Sequence, residues 1–277
     1  LKLRALSLVI IIYIWLHPNE EIKQGEVHVT VLDVGQGLSQ VVRTQNHTLL
    51  FDTGAKYPSG FNMGDAVIIP YLNSQQIKQL DLIIISHGDN DHIGGLDSVL
   101  KKINSQKILS SVPEKISKSS GLCQSLPTWE WDGVVFQMLN KGHNFTGNNA
   151  SCVLKISNQN HAIILTGDIE KKSELHLVNT WGDQLKSSIL ISPHHGSKTS
   201  SSTQFLKAVH PKWVVISSGY KNRFNHPAKV VMDRYKEHQI QTLNTNCTGQ
   251  IDIQMADKIT FTQYRKSKKR YFQRSCL

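Results

Sequence analysis

The sequence predicts an α/β fold of two packed sheets with helices on their outer faces, and three observations lead there. Short apolar runs broken by turn residues fill the stretch that follows Glu26. LDLIIIS, Leu80 to Ser86, is continuously apolar, the mark of a strand covered on both faces. From Val134 onward strand-like runs are followed by strand–helix alternation.

Taken in order, VHVTVLD (Val27 to Asp33), SQVVRT (Ser39 to Thr44) and HTLLFD (His47 to Asp52) are expected as successive strands. Gly35-Gln36-Gly37 and Gln45-Asn46 supply the turns. Asp65 to Asn73 is expected to be helical as far as Pro70. After Leu80 to Ser86, GGLDSVLKKI (Gly94 to Ile103) places Leu96, Val99, Leu100 and Ile103 on one helical side. Ser105 to Trp131 is Ser-rich and weakly patterned, which predicts a loop-bearing excursion. Strands return at Val134 to Met138, Ser151 to Ile156 and His161 to Gly167. There follow a helix over about Glu170 to Asn179, a strand Ser187 to Ser192 and a helix Thr203 to Val209. Last come a strand Trp213 to Ser218, a helix Pro227 to His238 and a hairpin around Thr248-Gly249.

The chain has 277 residues, enough for one large domain with a buried core, and 39% hydrophobic against 19% charged residues excludes bulk disorder. Its formal net charge of +10 points to an anionic partner, nucleic acid or an acidic lipid surface. The cysteines Cys123, Cys152, Cys247 and Cys276 include no CxxC pair, which excludes a zinc ribbon or thioredoxin-type site. Four unlinked thiols are expected, with a Cys123–Cys247 disulfide as the oxidising-compartment alternative.

The sequence opens on Leu1 rather than Met, so a longer protein is expected. Ala5 to Leu16 is an apolar run shorter than the roughly 20 residues that span a bilayer. It is expected to be the end of a membrane helix, with Lys2 and Arg4 on the cytoplasmic side and the rest of the chain outside. The expected organisation is a helix end and linker over 1–20, one domain over 26–257 and a basic tail over 258–277. Within that tail, Arg265 to Arg274 is either a solvated end or an arm touching phosphate or lipid.

The densest chemistry lies in SHGDNDHIGG, Ser86 to Gly95. His87, Asp89, Asp91 and His92 follow a buried strand directly, four potential ligands in six residues. Imidazoles and carboxylates are the usual ligands of zinc, manganese and iron. Gly88 and the Gly94-Gly95 pair allow sharp turns and close approach to a ligand.

This loop resembles the signature of the metallo-β-lactamase superfamily, with aspartate at the usual second histidine. FDTG (Phe51 to Gly54), LTGDI (Leu165 to Ile169) and SPHHGS (Ser192 to Ser197) follow in that family's order. With VLDVGQG, NNASCVLKI and NRFNHP, the chain from Val27 to about Asp257 looks like the C-terminal soluble domain of ComEC-type DNA-uptake proteins. Leu38 and the NTNCTGQI segment depart from that pattern, where acidic residues are usual. The resemblance implies an αββα four-layer sandwich holding two divalent ions, manganese favoured and zinc possible. His87 and Asp89 would hold one ion, Asp91 and His92 the other, with Asp168 bridging and His195 or His194 completing the second. Asp52 would orient the site.

Asp91, His194 and His226 are the catalytic candidates, His226 for protonating a leaving oxygen or touching the scissile phosphate. Asn148, Asn149 and Ser151 replace the family's middle histidine and would bind substrate, as would Lys198; the asparagines also fit an ordinary turn. The resemblance implies a DNA phosphodiesterase that degrades the strand not imported, on the extracytoplasmic side. Its partners would be DNA, the membrane channel of the same longer chain, and the bilayer through the first helix. An inactive DNA-binding module of the channel and a small-ester or lactam hydrolase are the other readings.

Overall fold

The computed structural model describes residues 21–142 and 144–268. The apolar run at 5–16 and most of the basic stretch at 265–274 lie outside them. Among the described residues no helix is long and apolar enough to cross a membrane.

Among the described residues fifteen strands form two sheets. In chain order they are β1 (Val27–Val31), β2 (Gln40–Arg43), β3 (Thr48–Phe51), β4 (Gln79–Ile85), β5 (Asn104–Ser110), β6 (Gly121–Leu122), β7 (Trp129–Trp131) and β8 (Val134–Met138). Then come β9 (Leu154–Ser157), β10 (Ala162–Leu165), β11 (Ile189–Ile191), β12 (Trp213–Ile216), β13 (Gln241–Asn244), β14 (Ile251–Met255) and β15 (Ile259–Gln263). The first sheet runs β15-β14-β1-β2-β3-β4-β5-β6 and the second β13-β12-β11-β10-β9-β8-β7.

Alternation along each strand builds three apolar layers. Val29, Phe51 and Leu82 of the first sheet meet Phe136, Ile163 and Ile189 of the second in the central core. Leu50, Ile83 and Ile85 point the other way, onto Leu72 and Val99 of the helices Ile69–Ser74 and Leu96–Lys102. Ile164, Leu190 and Val214 likewise pack on Leu177, Phe205 and Val231 of the helices Lys171–Trp181, Thr203–Val209 and Lys229–Glu237. Strands apolar on both sides therefore sit between a partner sheet and a helical layer, which gives the four-layer sandwich.

Several elements differ from the sequence reading. The excursion from Ser105 holds β5, parallel to β4 with Ile83 opposite Ile108. Its first half is largely exposed, so Asn, Gln and Lys there hide the strand from an apolar-run criterion. Gly64–Ile68 forms a wide π-helical turn before the helix Ile69–Ser74, and Pro70 opens that second helix instead of ending a first. The closing hairpin turns between β14 and β15, beyond the expected Thr248-Gly249, where Thr245–Thr248 is one helical turn. β15 also carries the sheet past residue 257 into the segment assigned to the tail. Cys123 is bonded to Cys152 and Cys247 is also disulfide-bonded, so neither four thiols nor a Cys123–Cys247 bridge is found.

Candidate metal centre

Parallel pairing of β3 with β4, and of β10 with β11 and β12, brings the carboxyl ends of five strands to one edge of the sandwich. The loops leaving those ends carry Asp52, the Ser86–Gly95 segment, Asp168 and the His194-His195 pair. Gly167 seals the junction between the sheets, since a Cβ there would meet the Ser86 and Ser151 side chains. Gly94 and Gly95, expected to approach a ligand, instead let the loop pack against the Thr53 and Lys56 backbone.

Three imidazoles converge with their Nδ1 atoms already committed. His92 Nδ1 lies 2.7 Å from Asp52 Oδ2, and His195 Nδ1 lies 2.9 Å from the Ser217 carbonyl. Both partners accept only, so each Nδ1 carries the proton. Ser86 Oγ donates to Asp52 Oδ2 at 2.7 Å and is left to accept from His87 Nδ1 at 3.1 Å. Every Nε2 therefore offers a lone pair inward in the neutral ring. His92 Nε2 and His195 Nε2 face each other at 3.2 Å, a repulsive meeting unless positive charge sits between or beside them.

Carboxylates complete the cluster. Asp168 Oδ1 lies 3.1 Å from His92 Nε2 and 3.5 Å from His195 Nε2, while Oδ2 lies 4.0 Å from His87 Nε2. Asp91 Oδ2 is 3.4 Å from His195 Nε2, and the more exposed Asp89 reaches His87 Nε2 at 3.6 Å. His87 Nε2 and Asp168 Oδ1 are buried without a hydrogen-bond partner. Two buried acceptor atoms that no protein donor satisfies, among imidazoles and carboxylates, suit a cation, so the donor set fits the implied ions. Two groups emerge with ligand atoms within 4.8 Å of one another, His87 with His92 and Asp168, and Asp91 with His92 and His195.

The charge states point the same way. Burial opposes ionisation of Asp168, yet His195 and then His92 hold its carboxyl well below the ordinary range. Burial also opposes ionisation of Asp91, but the His195 hydrogen bond and the His92 charge hold it at about 2. Burial would lower His92 and His195, but Asp168 above all raises both. The pocket thus stabilises positive charge among its carboxylates, which a divalent ion satisfies.

Asp52 supports this cluster from beneath. Fully buried and in the left-handed backbone region at φ 61°, it accepts from Ser86 N at 2.6 Å as well as from Ser86 Oγ and His92. His194 and His195 also have positive φ, 50° and 56°, consecutive strained conformations that fan the two rings apart. His195 turns into the cluster. His194 stays at the rim, with Nε2 3.6 Å from Asp168 Oδ2 and Nδ1 3.5 Å from Glu170 Oε1.

The remaining candidates surround the cluster. Asn149, expected to meet substrate, accepts at Oδ1 from Glu170 N and Ser173 N and so ties down the first turn of a helix. Ser151, also expected at substrate, is buried; it donates to the Asn148 carbonyl and accepts from Asp168 N, positioning that carboxylate. Asn148 occupies the turn before it. Lys198 is exposed and lines a cleft with Lys171 and Arg234. His226 packs edge-on against His194, ring centroids 5.8 Å apart. Burial, then His195 and His194, lower it to about 4. A cavity of about 780 Å³ lies at the opposite, amino ends of β10, β11 and β12 and contains none of these residues. The sequence reading misses Ser86, Ser217 and Glu170. Ser86 adjoins the motif and was findable by position, whereas nothing in the sequence marks Ser217.

Residues 32–219 match the Metallo-beta-lactamase superfamily model. The chain is 39% identical over 236 residues to "Competence protein ComA" of Neisseria gonorrhoeae, covering 84% of this chain and 33% of that protein. It is 34% identical over 241 residues to "Recombination protein 2" of Haemophilus influenzae, covering 86% and 30% respectively. The chain thus spans about a third of the length of these relatives. Among solved structures, the metallo-beta-lactamase fold protein YhfI of Bacillus subtilis superposes with a TM-score of 0.52 at 12% identity, over 79% of this chain and 95% of that one.

Proposed function

This chain belongs to the metallo-beta-lactamase superfamily, and we propose that it is a metal-dependent phosphodiesterase that cuts DNA, acting on the strand not imported during DNA uptake. The observation that carries the reading is the meeting of three outward-tethered imidazoles with Asp168 and Asp91 at the strand ends. His87, Asp89 and Asp168 would hold one ion; Asp91, His92, His195 and Asp168 would hold the other. Two such ions supply acidity to a water nucleophile and positive charge to the phosphoryl oxygens as attack proceeds. Asp89 in place of an imidazole makes the first set richer in oxygen, which favours manganese over zinc.

DNA as the substrate is supported by the net charge of +10, which gathers polyanions, and by relatives whose names refer to competence and recombination. Asp52, Ser86 and Ser217 keep the ring protons off the inward nitrogens. His194, with Glu170 beside it, stands at the rim where a scissile phosphate would enter, and Lys198 lies on the adjoining surface. The Cys123–Cys152 disulfide supports an oxidising, extracytoplasmic setting for the domain, with the membrane channel of a longer protein as its partner.

The test uses end-labelled single- and double-stranded DNA with metal-stripped protein reloaded with manganese or zinc. We expect cleavage, greater with manganese, and its loss in Asp168→Ala although DNA is still bound. Wild-type protein inert on both forms with both ions would leave a DNA-binding module of the channel as the better account.

A further inference from the structure

Exposed aromatic rings are concentrated on two loops against the metal centre. Apart from Tyr264, every Phe and Tyr among the exposed large apolar side chains of the described residues belongs to one of them: Tyr57 and Phe61, or Tyr220 and Phe224, between 41% and 53% exposed. Four large exposed rings thus flank the centre on otherwise polar loops, and a concentration of that kind marks an interaction site.

Both loops are fixed to the centre. The first is pinned where Asn90, between Asp89 and Asp91, donates from Nδ2 to the Lys56 carbonyl at 2.9 Å. Tyr57 N to Phe61 O at 2.7 Å closes the turn and holds the two rings 5.8 Å apart. The second abuts the Gly35–Gly37 turn, since a Cβ on Gly219 would meet Gln36 N, and a Cβ on Gly37 would meet Asp91. Asn222 locks it from inside, donating to the Gly219 and His226 carbonyls and accepting from Phe224 N and His226 N. Phe224 stacks on His226, which in turn meets His194 at the rim. The rings are thus presented on rigid backbone.

Cations accompany the second pair. Lys221 Nζ lies 5.6 Å from the Tyr220 ring centre and Arg223 Cζ 4.7 Å from that of Phe224. Each cation lies over its ring, so ring and positive charge are presented together, as a nucleotide with its base and phosphate requires. A paired base in a duplex has its faces covered by its neighbours; an unpaired base can lay one on a ring.

Resting on the nuclease reading above, we propose that Tyr220 and Phe224, with Tyr57 and Phe61, form a stacking clamp for unpaired bases. It selects single-stranded DNA and feeds its backbone to the metal centre. Lys221 and Arg223 hold the flanking phosphates.

The test is binding of fluorescent oligonucleotides by anisotropy, with EDTA present to suppress cleavage. The probes are a thymidine 12-mer, an abasic strand of equal length and a duplex. Wild-type protein should bind the thymidine strand about tenfold tighter than the abasic one, the order that a base–aromatic stack supplies. In Tyr220→Leu/Phe224→Leu that ratio should collapse to within about twofold, as expected when stacking alone is removed. In Lys221→Ala/Arg223→Ala both strands should weaken alike, with a shallower salt dependence. Equal wild-type affinity for the two strands, tighter binding of the duplex, or an unchanged ratio in the leucine variant overturns the clamp. Because cleavage is not the readout, a protein that keeps the ratio yet cuts nothing sinks the nuclease reading alone.

Discussion

Asp52→Asn separates the charge state of the centre from its shape. Asp52 Oδ2 receives two protons, from Ser86 Oγ and His92 Nδ1, each at 2.7 Å, while Oδ1 receives Ser86 N–H at 2.6 Å. The asparagine amide must turn its NH₂ toward one side. Toward Ser86 N–H it meets a donor that cannot move, so it faces His92 and Ser86 Oγ. Relief then requires His92 to carry its proton on Nε2 and the serine hydroxyl to rotate. That protonation removes a lone pair aimed at the cluster, and the hydroxyl's rotation disturbs His87 as well. Loss of such a support costs about ten- to hundredfold in metal affinity, or roughly 1.4 to 2.7 kcal/mol. Metal-free stability should fall by about 1.5 to 3 kcal/mol, the worth of a hydrogen bond to a charged group. Calorimetric titration of zinc and manganese into both proteins measures the first, and ¹⁵N spectra of the His92 ring report the tautomer. An Asp52→Asn protein that binds either ion as tightly as wild type, with His92 still protonated at Nδ1, would refute the reasoning.

Two predictions concern stability away from the centre. Burial opposes the charge on Asp132, but hydrogen bonds from Thr44, Asn46 and His47 hold its pKa well below the ordinary carboxylate value. A depressed folded pKa gives stability that is present above the unfolded value and is lost as pH falls through the folded one. Asp132→Asn should therefore cost about 1 to 2 kcal/mol at pH 7, with the gap to wild type closing in acid; urea unfolding at pH 7 and pH 3 checks this, and a gap constant with pH contradicts it. Replacing both Cys123 and Cys152 by serine opens a link between residues 29 apart and should cost roughly 2 to 4 kcal/mol. Scanning calorimetry should show a lower Tm; an unchanged one would mean that the native packing carries no benefit from the bond.

The central apolar strands were legible because β4 and β10 are buried on both sides, and a doubly covered strand needs apolar residues throughout. β5 and β15 were not, since the exposed residues of an edge or a solvated half can be polar at no cost. The ligand-bearing loop was legible for a chemical reason: His87, Asp89, Asp91 and His92 lie within six residues, a density that turns do not require. Asn149 and Ser151 show the limit. Their residue types suit a phosphate as well as a backbone partner, and only the fold sets Asn149 on the first turn of a helix and Ser151 against Asp168 N.

The sequence by itself determined the layered α/β character, the clustering of ligand-type side chains and the cationic balance, because apolar period, local spacing and charge are properties of neighbours along the chain. Tertiary structure alone decided that His195 rather than His194 turns inward, that Cys123 meets Cys152, and that Ser217 fixes a ring proton. Those outcomes depend on the positive φ values of the His194-His195 pair and on contacts between segments well separated along the chain. Hydrogen-bond direction and backbone hand are settled only where the packed strands end.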